Sequence, residues 1–175
     1  MRTTKVSQLA AVSLLLLLFP GWRTARAQIC NGSWTFGVAD SAAYRLEARE
    51  PCHALLDPFG DKNPTLLLEL GRRYEIRVVH HQTYPLELIA KGASAAQDKV
   101  LLSMGSDAGA FASDPEVDWQ DDGGGTVRFT LTPRLFQAME QGGLTAGYRC
   151  RDEAATMRGD FLVAWMPPLG SITVL

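Results

Sequence analysis

Short apolar runs recur along the chain after its N-terminal segment, and in some of them apolar and polar residues alternate with period two. Tyr74-Glu75-Ile76-Arg77-Val78 and Val127-Arg128-Phe129-Thr130-Leu131 are the clearest. Each has one apolar and one polar face, as a half-buried strand requires. Further strands are predicted at residues 34–38, 66–70, 86–89, 100–104, 147–150 and 159–165. Clusters of Gly, Pro, Asp and Asn separate them, most densely at Asp121-Asp122-Gly123-Gly124-Gly125. Short strands spaced by turns in this way predict an all-β fold, a β-sandwich.

One stretch changes period. Leu135, Phe136 and Met139 form an apolar stripe at helical spacing, between Thr132-Pro133 and Gly142-Gly143. A Thr cap, a Pro at the first helical position and a Gly stop predict one short helix with its stripe in the core. Residues 93–98 and 105–118 read as loops, and residues 169–175 as a terminal strand or tail.

The N-terminus follows a different rule. Arg2 and Lys5 precede an apolar region at residues 9–19, Pro20-Gly21 breaks it, and Ala25-Arg26-Ala27 ends it. That is the layout of a cleaved secretory signal over residues 1–27. The apolar region is shorter than the roughly 20 residues of a membrane span. The chain is therefore expected to be exported, to a periplasmic or extracellular space, with no membrane span in its mature part. Cleavage removes four of the 17 basic residues and none of the 19 acidic ones, leaving 13 against 19, a net charge of −6. A general nucleic-acid binder needs a basic face instead, so nucleic acid is not an expected partner.

Three cysteines remain: Cys30, Cys52 and Cys150. A Cys30–Cys52 disulfide would close a loop of about 20 residues and contribute roughly 3 kcal/mol. It would lie in an N-terminal segment, residues 28–63, joined to a main domain over 64–175. Cys150 is then the unpaired thiol, either buried and inert or a ligand. His53 follows Cys52 in a predicted loop and reads as a surface residue. Asp118, Asp121 and Asp122 offer oxygen ligands for a hard cation, but without EF-hand spacing they read as a solvated turn. No nucleophile elbow, phosphate loop or zinc-protease helix is present in the sequence, and the expectation is a protein that is not an enzyme.

The informative stretch is Gly147-Tyr148-Arg149-Cys150-Arg151-Asp152-Glu153-Ala154-Ala155-Thr156-Met157-Arg158-Gly159. A strand ends at a cysteine, a tight loop leads to a methionine, and a Gly opens the next strand. This resembles the cupredoxins, the blue type 1 copper family of plastocyanin and azurin type. Residues 74–88 and 127–132 are similar to the strands that precede the family's first His and its Cys hairpin. The resemblance covers roughly residues 64–165. It implies a cupredoxin-like Greek-key β-sandwich with one short helix. It also implies copper binding and electron transfer with a redox partner protein.

Two positions depart from the family. Glu153 stands in the loop where the family has its second His, and Tyr84 stands where it has the first. The implied site is then an altered one. Cys150 is its thiolate, Met157 its axial ligand, His80 or His81 its imidazole and Glu153 a further donor. Strand alternation points at most one of the two histidines inward. The alternative is a metal-free β-sandwich, a binding or structural module that has lost copper.

Overall fold

The computed structural model describes residues 32–40, 42–49, 62–105 and 109–164. Within them the chain is mostly β. It forms β1 (Gly32–Ala39), β2 (Ala43–Arg49), β3 (Leu66–Glu69), β4 (Arg73–Val78), β5 (Leu86–Lys91) and β6 (Lys99–Ser103). Then follow β7 (Gln120–Asp121), β8 (Thr126–Thr130), α1 (Pro133–Glu140), β9 (Thr145–Cys150) and β10 (Arg158–Ala164). A 3-10 turn, Ala95–Gln97, precedes β6. The predicted tail at 169–175, the cysteines Cys30 and Cys52, His53 and the signal region lie outside the described residues.

The strands make two five-stranded mixed sheets, ordered β2-β1-β4-β8-β7 and β3-β10-β9-β5-β6. Hairpins are antiparallel, while β1–β4 and β3–β10 are parallel pairs. Period two explains which face each strand buries. In β4, Tyr74, Ile76 and Val78 are buried, while Glu75 and Arg77 face outward. In β8, Val127 and Phe129 do the same against Arg128. The inward residues of both sheets belong to one core. Phe36 of β1 stacks on Tyr148 of β9 at 5.2 Å between ring centres, and on Tyr44 of β2 at 5.2 Å, so aromatic rings join the sheets. Residues 32–49 thus share the sheet and core of the main body, through the β1–β4 pairing.

The helix forms as its caps predict. The Thr132 side chain accepts from Leu135 N at 3.1 Å, Pro133 opens the helix, and Leu135 and Met139 are buried. Gly142 and Gly143 follow with φ of 77° and 79°, a left-handed backbone that stops the helix. Two strands were not predicted. In β2, Tyr44 and Leu46 are buried and alternate with Arg45 and Glu47, a clear period-two signal. β7 is two residues long and lies where the glycine cluster reads as a turn.

Candidate functional site

Cys150 is the last residue of β9, and in the β5–β9 register it lies opposite Leu86, the first residue of β5. The loop after it is tied at several points. Arg151 N donates to Pro85 O at 2.9 Å, Met157 N to Glu153 O at 2.9 Å, and Cys150 N to Met157 O at 2.8 Å. Cys150 and Met157 are therefore brought to the same closed end of the hairpin, both fully buried. Asn63 fastens the loop from outside: its side chain donates to Thr156 O at 2.8 Å and accepts from Tyr44 N at 3.0 Å.

The partner of the thiol is a residue that the sequence reading passed over. The Tyr44 hydroxyl donates to Tyr84 O at 2.9 Å and lies near enough to Cys150 for each group to bear on the other's ionisation. A phenol has one proton, and here it goes to the Tyr84 carbonyl. Burial pushes the Cys150 thiol above its ordinary range, outweighing the backbone N–H groups of Glu153 and Asp152 and the Tyr44 hydroxyl, which would favour a thiolate. Burial first, then the prospect of negative charge at Cys150, pushes Tyr44 well above the usual phenol range. Both groups are held neutral.

The other predicted donors sit apart from this pair. The His80 side chain is exposed, and its carbonyl accepts from Tyr84 N at 2.9 Å, closing the turn after β4. His81 is half-buried against Gly125, where an added Cβ would lie 2.5 Å from His81 Nδ1. The Glu153 side chain is exposed; it is the Glu153 carbonyl that shapes the loop. Tyr84 is half-buried and packs on the core. Among the described residues no group of three or more His, Cys, Asp and Glu side chains is placed to hold a metal ion. The acidic turn braces itself: Asp121 accepts from Gly105 N at 2.7 Å and Gly123 N at 2.9 Å, and Asp118 pairs with Arg73 at 2.7 Å. The backbone N–H groups of Thr126 and Gly124 hold Asp122 below the usual carboxylate range.

A second cluster also went unnoticed in the sequence. Glu87, with a side chain 6% exposed, accepts from Arg149 Nε at 2.7 Å and pairs with Arg151 at 3.4 Å. Asp98, its side chain fully buried, binds Arg158 Nη2 at 2.6 Å, Arg149 Nη1 at 3.1 Å and Gly92 N at 2.9 Å. Arg151 Nη2 also donates to Ser103 Oγ at 2.7 Å and to Met104 O. The signal for this cluster was an acid, Glu87, inside an apolar run, with arginines on both sides of Cys150. Its consequence is that both residues flanking Cys150 are locked to β5, so the cysteine cannot shift along the sheet.

Compared with known proteins, the chain matches no family model, no curated protein and no solved structure, so the cupredoxin resemblance rests on its own residues.

Proposed function

We propose that this chain is an exported cupredoxin-like β-sandwich of Greek-key type, in which the copper position has become a closed phenol–thiol contact. It then acts as a non-enzymatic, metal-free binding or structural module. Two features support the ancestry. The chain changes sheet between β2 and β3, β3 and β4, β4 and β5, β6 and β7, and β8 and β9, which is how a Greek-key sandwich is wound. The Cys150-to-Met157 loop closes on a strand that starts at an Arg-Gly step. Export rests on the layout of residues 1–27.

The observation that carries the metal-free reading is Cys150 itself, fully buried, with burial holding its thiol protonated. A type 1 copper site takes a thiolate, two imidazoles and a weak thioether. Here burial favours the thiol, His80 faces solvent, and phenol and carboxylate side chains stand at the two imidazole positions. The residues do not fit an ordinary copper site, and no electron-transfer step follows from them. One observation favours a second reading, an altered copper protein with a redox partner: Cys150 and Met157 are joined and buried together, as soft ligands would be.

A copper titration of residues 28–175, with Cys150→Ser as control, separates the two. The expected result is no thiolate-to-copper absorption band and no metal retained after dialysis. A stoichiometric band that disappears in the control would overturn the metal-free reading and establish the altered copper site.

A further inference from the structure

Beside the Cys150 hairpin lies an open cleft of about 320 Å³, where the turn after β4, the end of β6, the β7 turn and the start of the Cys150 loop meet. His81, Gln82, Met104, Asp121, Arg151 and Asp152 line it. Its volume lies at the small end of the range for ligand sites, roughly 300–1,000 Å³.

Its walls carry both signs of charge, and three of its polar groups are uncommitted. Arg151 uses Nε and Nη2 to hold Glu87, Ser103 and Met104, which fixes the guanidinium plane. Among the described residues its Nη1 has no hydrogen-bond partner, and neither do the His81 imidazole nor the Asp152 carboxylate. Asp121 differs, because its carboxylate is taken by two backbone N–H groups. A pure anion entering this cleft meets two carboxylates, and a pure cation meets a fixed guanidinium. A small molecule with both charges satisfies each wall.

We propose that this cleft binds a small zwitterion of the α-amino-acid class, its carboxylate on Arg151 and its ammonium group on Asp152. The inference does not rest on the proposed function, since it uses the side chains of Arg151 and Asp152 and neither the Cys150 thiol nor Tyr44. A guanidinium already immobilised by the protein loses little freedom on meeting a carboxylate, so the site is preorganised on that side. His81 and Gln82 are the further donors within the cleft.

The test is an NMR titration of the EDTA-treated exported protein with L-alanine, N-acetyl-L-alanine and L-alanine amide. L-Alanine is expected to shift the Arg151, His81 and Asp152 signals. The acetylated and amidated forms, each lacking one charge, are expected to bind at least ~10-fold more weakly, the equivalent of about 1.4 kcal/mol. Asp152→Asn changes an exposed side chain. It is expected to abolish discrimination against the acetylated form while leaving the fold intact. Arg151→Gln is expected to abolish discrimination against the amide. The proposal is overturned if millimolar L-alanine shifts none of these signals, if all three probes bind alike, or if Asp152→Asn leaves the discrimination unchanged.

Discussion

At the scale of single residues, Tyr44 and Cys150 decide what the end of the β9 hairpin can do. Tyr44 is fully buried, and its hydroxyl is the link from β2 to the Tyr84 carbonyl, beside the thiol. Tyr44→Phe keeps the ring and removes only that link. It is expected to destabilise the fold by about 1–3 kcal/mol, because the buried carbonyl loses its donor. Urea denaturation of the two proteins measures this, and an unchanged midpoint would show the hydroxyl to be idle. The thiol has a matching signature. A buried, protonated Cys150 is expected to react with an aromatic disulfide reagent at pH 8 only as fast as the chain unfolds. Fast reaction of the folded protein would mean an accessible thiolate. Period two in β2 carries a local signal for Tyr44 as an inward residue, one that the sequence analysis did not use. Its partner was not legible, because Cys150 lies 106 positions away and meets it only across the core.

At the scale of elements, charge pairs fix how β5, β9 and β10 fit together. Glu87 of β5 holds Arg149 and Arg151 on either side of Cys150, and Asp98 holds Arg149 and Arg158. Glu87→Ala leaves Arg151 with no carboxylate beside it and Arg149 with Asp98 alone, on a largely buried face, and a loss of about 3–5 kcal/mol is expected by calorimetry or urea denaturation. A loss below about 1 kcal/mol would mean that solvent already reaches these charges. Gly159 shows a second constraint on the same hairpin. It lies opposite Tyr148 in the β9–β10 pairing, and an added Cβ would lie 2.2 Å from Tyr148 Cζ. Gly159→Ala is expected to cost about 1–3 kcal/mol through forced repacking of the Tyr148 ring. The Gly was visible in the sequence as the residue opening the last strand. The ring above it, which explains why no side chain fits there, was not.

At the scale of the whole molecule, the neutral buried acids tie stability to pH. Cys150 is raised above its ordinary 9.0, while Tyr44 and Tyr74 are raised above 10.0, Tyr74 to about 12, in each case chiefly by burial. The unfolded chain therefore releases these protons at lower pH than the folded chain. Their contribution is complete below the ordinary values and is lost as pH rises toward the folded ones. Stability is expected to hold between pH 7 and about pH 9 and then fall steeply, with Cys150→Ala delaying the first part of the fall. Urea midpoints from pH 7 to pH 11 test this; a midpoint independent of pH over that range would refute it.

By itself, the sequence determined most of the elements. Short apolar and period-two runs placed eight strands, all but β2 and β7, to within one or two residues of where they lie, except that the last run reaches past the described residues at residue 165. Thr132, Pro133 and Gly142 placed the helix. These outcomes depend on neighbours a few positions apart, and such neighbours are written side by side in the chain. The spacing of Cys150 and Met157 likewise brought those two residues together, because a short loop leaves them little choice. The tertiary structure decided which side chains Cys150 meets. It set Tyr44 against the thiol, turned the His80 and Glu153 side chains to solvent, and buried Glu87 and Asp98 among arginines. Those contacts depend on which strands become neighbours and how two sheets close on one core, and local spacing carries neither.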